Sequence, residues 1–216
     1  MHHSTNPRDI FHQALAPCGL VAILRGLPPG DAVPVGGALV SAGWKVIEVP
    51  LNSPQPLLSI EALTQTFPGV LVGAGTVLTT AQVREVHAAG GRLIVAPNFN
   101  PDVVREALRL AMVCLPGALT ATEAFAALEA GATGVKLFPC EMIPPAAVKA
   151  LRAVLPASAL LLPVGGISTA NIPAYQAAGA NGFGIGSALY KPGIDAAEVK
   201  RNALDFMAAA AGTIRA

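Results

Sequence analysis

Two charged residues stand inside runs that are otherwise apolar. Glu48 lies in VIEVP and Lys136 in VKLFP. An unpaired charge is costly to bury, so a charge in such a setting is usually paired or functional. Burial turns a lysine toward its neutral amine, because desolvation disfavours the ammonium. That amine can attack a ketone, giving a carbinolamine and then an imine. A carboxyl titrating near neutrality can carry the protons these steps move. A Glu48–Lys136 salt bridge that only fixes strand register is the competing account. The other lysines sit differently: Lys149 and Lys200 fall on expected helix surfaces, Lys45 precedes a strand, and Lys191 follows the last one.

Arg25 ends the run GLVAILRG. Its planar fork suits a substrate carboxylate, although a surface salt bridge would also account for it. Two glycine-rich turns, VGGIS and GIGSALY, follow late apolar runs. Gly165, Gly166, Gly186 and Ser187 can offer backbone N–H groups and a hydroxyl to an anion. Tight turns without a ligand are the plainer reading of the same glycines. GAGTV is not a dinucleotide fingerprint, since it lacks the third glycine and its helix pattern begins only afterwards.

These residues need a frame. Helical stretches repeatedly end in Ala-Gly or Gly-Gly before a short β-branched run, as in SAGWKVIEVP, AAGGRLIVAP, EAGATGVKLFP and QAAGANGFGIG. Gly43, Gly90, Gly131 and Gly179 stand where a helix end needs a left-handed residue. The runs after them are apolar on both sides, as in a buried parallel sheet. Eight strands are expected, over 20–24, 46–49, 70–73, 93–96, 112–115, 134–138, 160–164 and 182–185. Amphipathic helices fall between them, one beginning at Glu123 with Thr122 as its cap. Eight alternations in this length point to a single-domain α/β fold, a (β/α)8 TIM barrel over residues 9–216. Residues 1–8 read as a flexible terminus, and an extra N-terminal helix over about 9–16 would close the barrel bottom. An open flavodoxin-like sheet is the alternative. Alternation puts Val21, Ile23 and Arg25 on one face. Val46, Glu48 and Pro50 share another, as do Val72, Ala74 and Thr76, and Gly134, Lys136 and Phe138. If those faces point inward, an Arg, a Glu, a Thr and a Lys meet in the barrel mouth, where barrel enzymes keep their chemistry.

Composition narrows the function classes. Of 216 residues, 53% are hydrophobic and 12% charged, which suits a fold buried on many faces. No apolar run reaches the ~20 residues of a spanning helix, and MHHSTNPRD has no signal-peptide core. The expectation is a cytoplasmic protein with no membrane partner. A net charge of +1 offers no bulk attraction for nucleic acid. Cys18, Cys114 and Cys140 are odd in number and far apart, so they read as free thiols. His2, His3, His12 and His87 show no metal-ligand spacing, and no metal is expected.

VAILRG, VIEVPLNSP, VGAGTVL, IVAPN, PGALTATEAFAALEAGA, VKLFP, VGGIS and GIGSALY together resemble the 2-keto-3-deoxy-6-phosphogluconate and 2-keto-3-deoxy-6-phosphogalactonate aldolase family. The likeness runs from about residue 19 to residue 193. It implies a class I aldolase, usually a homotrimer, needing no metal or other cofactor and taking a small phosphorylated keto acid. Position by position, it implies that Lys136 is the Schiff-base lysine and Glu48 the general acid/base. Arg25 and Thr76 become contacts to the substrate carboxylate, and Pro97 of APN lines the same pocket. Gly165, Gly166, Gly186 and Ser187 become the phosphate cradle. The LNSP segment is similar to the galactonate branch; the gluconate branch usually carries Leu-Arg-Thr there. Val164 stands where the gluconate branch typically has a threonine that addresses the C4 hydroxyl. Two departures, Cys140 for a common serine and Ala96 for a frequent threonine, remove no proposed catalytic group. The implied reaction is reversible cleavage of 2-dehydro-3-deoxy-6-phosphogalactonate to pyruvate and D-glyceraldehyde 3-phosphate. The gluconate epimer is the nearest alternative. A non-catalytic phosphosugar-binding barrel and a metal-dependent lyase or decarboxylase are alternatives of other classes.

Overall fold

The computed structural model describes residues 6–211. It opens with α1 (Pro7–Leu15), whose first turn is closed by the Asn6 side chain accepting from the Arg8 N–H. Pro7 and Arg8, assigned above to a flexible terminus, are therefore helical; proline suits a first turn, where its missing N–H costs nothing. His2 and His3 lie outside the described residues.

Eight strand–helix units follow. The first four are β1 (Leu20–Ile23) with α2 (Pro29–Ser41), β2 (Val46–Pro50) with α3 (Pro56–Thr66), β3 (Leu71–Gly75) with α4 (Thr80–Ala88), and β4 (Leu93–Val95) with α5 (Pro101–Arg109). The fifth strand is split into β5 (Val113–Leu115) and β6 (Gly117–Ala118), before α6 (Ala121–Glu129). The last three are β7 (Val135–Leu137) with α7 (Pro145–Val154), β8 (Leu161–Pro163) with α8 (Ile172–Ala177), and β9 (Phe183–Ile185) with α9 (Ala196–Ala210). Gly43, Gly90, Gly131 and Gly179 all take positive φ after their helices, as the repeat demands.

The strands pair in parallel, in the orders β5-β4-β3-β2-β1-β9 and β6-β7-β8. A parallel bridge between Val164 and Gly184 joins β8 to β9. The fifth strand joins the two runs at its other end, so the sheet closes into a barrel. Pro116 divides that strand because it cannot donate to the ladder; its carbonyl still accepts from the Lys136 N–H at 2.9 Å. The fifth strand thus runs past the expected 112–115. The sixth helix also starts earlier than expected. Thr120, not Thr122, is its cap: Thr120 Oγ1 accepts from Glu123 N–H, and the Glu123 carboxylate accepts from Leu119 and Thr120 N–H. A carboxylate at the third helical position makes this reciprocal box available to Thr120 alone.

Two apolar layers hold the barrel. Val21, Val46, Leu71, Leu93, Val95, Val113, Leu115, Leu160 and Leu162 fill its interior, with Phe11 and Leu15 of α1 closing the bottom. The outward residues, among them Ala22, Ile47, Val72, Ile94, Val135 and Leu161, pack against the surrounding helices. The interior is solid through its middle; its largest space opens toward the carboxyl ends of the strands, and a smaller cavity lies at the opposite end against α1.

Candidate active site

Alternation along β2 sends Ile47 and Val49 to the helices and Val46 to the interior. Glu48 therefore points inward, one layer above Val46, and is 1% exposed. In β7, Val135 and Leu137 face the helices, so Lys136 points inward and is 6% exposed. Its Nζ lies 4.6 Å from the centroid of the Phe138 ring, two residues on and on the same face.

Strand β3 departs from the expected register. Val72 and Ala74 face outward and Leu71 inward, so Gly75 faces inward beside Glu48. A Cβ on Gly75 would collide with the Glu48 carboxyl; the missing side chain makes the space that Glu48 fills. Thr76 reaches the barrel mouth for another reason. It is a non-glycine residue at φ 58, a conformation unfavourable for a β-branched side chain, and that turn brings it to the cavity despite its parity. Strain of this kind is characteristic of sites where the surroundings over-determine a residue.

The mouth is a cavity of about 860 Å³, within the rough 300–1,000 Å³ range of small-ligand sites. Its lining includes Arg25, Glu48, Thr76, Lys136, Val164, Gly165, Gly166, Gly186 and Ser187. Pro97 is not in that lining. It is half-buried, and its carbonyl instead lies against Gly117, where the sixth strand segment needs a residue without Cβ.

Burial pushes the Glu48 carboxyl up to about 7, against the opposing charges of Lys136 and Arg25. Burial likewise lowers the Lys136 amine, opposed by Glu48 and aided by Arg25. Desolvation is the larger influence on both groups, and it favours the uncharged form of each. No ion pair among the described residues joins them, and Glu48 Oε2 is buried without a hydrogen-bond partner. The register-fixing salt bridge is thus absent. Arg25 also makes no ion pair among the described residues. It is exposed at the rim, with its guanidinium free for an anionic group. An amine pushed toward its neutral form, a carboxyl titrating near 7 and an unpaired guanidinium in one cavity are the components for imine chemistry on a keto acid.

Sequence reasoning missed three lining residues with polar or charged side chains: Glu141, Tyr190 and Lys191. Lys191 was set apart only as following the last strand, yet it brings a cation to the glycine-turn end. Tyr190 is 2% exposed, and its hydroxyl has no hydrogen-bond partner. Glu141 carried one signal, a charge two residues beyond the FP that ends the lysine strand. The three cysteines are buried and free. Among the described residues, no group of His, Cys, Asp and Glu gathers as a metal cage, and no helix is long and apolar enough to cross a membrane.

Known proteins match this arrangement along most of the chain. A probable 2-dehydro-3-deoxy-6-phosphogalactonate aldolase of Rhizobium meliloti is 50% identical over 191 residues, 88% of this chain and 90% of that protein. The 2-dehydro-3-deoxy-6-phosphogalactonate aldolase of Escherichia coli K12 is 43% identical over 191 residues, 88% of this chain and 93% of its own. A solved structure described as native KDPGal superposes with a TM-score of 0.88 at 42% identity, covering 90% of this chain and 95% of that one. The family model for KDPG and KHG aldolases matches residues 12–205. The chain belongs to the KDPG and KHG aldolase family.

Proposed function

We propose that this chain is a class I aldolase that reversibly cleaves 2-dehydro-3-deoxy-6-phosphogalactonate to pyruvate and D-glyceraldehyde 3-phosphate. One observation carries the chemistry: Lys136 and Glu48 are buried in one cavity, not ion-paired, and both are driven toward their neutral forms. The amine of Lys136 attacks the C2 ketone of the substrate, and loss of water gives a protonated imine. Protonated Glu48 supplies the acid for that dehydration. Ionised Glu48, through a bridging water, then takes the proton of the C4 hydroxyl. The C3–C4 bond breaks, its electron pair flows into the imine to give an enamine, and the aldehyde departs. Protonation at C3 and hydrolysis release pyruvate and restore the amine. Phe138 presents its ring to the nitrogen that becomes cationic. Arg25 and Thr76 hold the substrate carboxylate, while Gly165, Gly166, Gly186 and Ser187 hold the phosphate. The covalent imine takes the place of a bound cofactor or metal.

The epimer follows from Val164 and the LNSP segment, and the galactonate names of the two relatives support it. The family likeness further supports a homotrimer working in the cytoplasm. Borohydride reduction in the presence of pyruvate is the test. It should add one reduced pyruvyl group at Lys136 and abolish activity, in EDTA as without it. An unmodified Lys136 would refute the mechanism. Comparison of kcat/KM for the two epimers then tests the substrate, and a preference for the gluconate form would overturn that part alone.

A further inference from the structure

The glycine turn assigned to phosphate already touches an anion. The Glu141 side chain lies over Gly165 and Gly166: its Oε2 occupies the place a Gly165 Cβ would take, and its Cγ is 3.0 Å from that of Gly166. Both glycines have positive φ, 102 and 63, so the turn leaves a slot no other residue would leave, and the carboxylate fills it. The side chain belongs to the cavity lining. It makes no hydrogen bond or ion pair among the described residues, so nothing fixes the carboxylate in the slot. Lys191 lines the same cavity, but does not pair with it. The backbone of Glu141, by contrast, is anchored in a single 3-10 turn, Cys140–Met142, on the loop leaving the lysine strand.

We infer that Glu141 is a displaceable carboxylate stopper at the phosphate end, a residue that sets how strongly the enzyme holds the phosphate group. A phosphomonoester carries about −1.5 to −2 charges near neutrality and cannot share the slot with a carboxylate. Phosphate enters as the Glu141 side chain rotates outward, and like-charge repulsion remains after it has moved. The stopper weakens capture of the phosphate and hastens loss of the phosphorylated aldehyde. A single unit-charge pair at about 4 Å in water amounts to a roughly five-fold change in binding, and more where water is thinned. This inference rests on the phosphate reading of the glycine turns, and the experiment separates the two.

The probes are inorganic phosphate, as a competitor of the sugar-acid substrate, and pyruvate, as a ligand without phosphate. In Glu141→Gln, which keeps the shape and removes the charge, the phosphate inhibition constant should fall at least five-fold relative to the pyruvate concentration that half-saturates borohydride trapping. Glu141→Ala, which also empties the slot, should lower that ratio at least as far. A ratio unchanged or raised in both variants overturns the inference while leaving the cradle intact. If phosphate competes in neither the wild-type enzyme nor the variants, the cradle reading fails and the stopper with it.

Discussion

Glu48 sits where neither charge state is comfortable. Its carboxyl holds its proton to about pH 7 in the folded chain, against an ordinary value of 4.5. Between those values the folded state binds more protons than the unfolded one. Stability contributed by Glu48 is therefore full below 4.5 and is withdrawn as pH rises through 7. This is the reverse of a surface carboxylate such as Glu106, which Arg109 and Arg84 hold low, at about 2. Glu48→Gln should accordingly melt a few degrees above the wild type at pH 8, with the gain shrinking toward pH 4; about 2–4 °C corresponds to each kcal/mol in a chain of this size. The same variant should lose roughly 10²- to 10⁴-fold in kcat/KM. In the wild type, kcat/KM should fall as pH rises through about 7, because imine formation draws on protonated Glu48 in the free enzyme and the ionised base arises only within the cycle. A variant that is stabilised equally at all pH values, or that keeps its activity, would remove Glu48 from both roles. Glu48 and Lys136 were legible because a charge in an apolar strand is a local signal. Glu141 was not, because its approach to Gly165 is a contact between segments more than twenty residues apart in the chain.

Among the elements, β3 is the instructive strand. Its residues are apolar on both sides, as buried parallel strands must be, so hydrophobic pattern alone does not say which face is inward. The expected face was off by one residue. Thr76 still arrived at the site, through its left-handed turn rather than through alternation. The inward glycine was the missing clue. Gly75 is required because Glu48 fills the space its side chain would need. Gly75→Ala should therefore displace the carboxyl and cost about 10- to 100-fold in kcat/KM, the scale associated with roughly 1 Å of misplacement at a reacting group. Gly30→Ala is the matched control. It lies in the first turn of α2 with no atom within 4 Å of an added Cβ, and a helical alanine is preferred over glycine by up to about 1 kcal/mol. Equal activity of the two variants in steady-state assays would mean that Glu48 is not held by the glycine gap.

At the scale of the whole molecule, the eight-fold repeat was readable because each unit announces itself locally, with a glycine at the helix end and an apolar strand after it. The count of eight units pointed to a closed barrel, but the particular pairings that close it were not readable, because they join residues across the full length of the chain. One of them brings substrate choice and barrel closure to the same residue. Val164 bridges to Gly184 across the last seam. Its N–H donates to Leu137 and its carbonyl accepts from Cys140 N–H. Its Cγ2 lies 2.8 Å from where a Gly184 Cβ would stand, while its side chain also lines the cavity. The backbone N–H and carbonyl are thus committed to β7 and the turn after it, and only the chemistry of the branched side chain is free to vary. Val164→Thr keeps the branch and replaces a methyl with a hydroxyl. A new hydrogen bond to a ligand hydroxyl is worth about 0.5–1.5 kcal/mol net. The ratio of kcat/KM for the gluconate over the galactonate epimer should therefore rise by roughly 3- to 10-fold. The buried hydroxyl should cost about 1 kcal/mol of stability where it finds no partner in the free enzyme, and denaturant unfolding of the unliganded variant measures that cost. Loss of stability with an unmoved epimer ratio would show that Val164 serves the seam alone and that substrate choice is made elsewhere in the cavity.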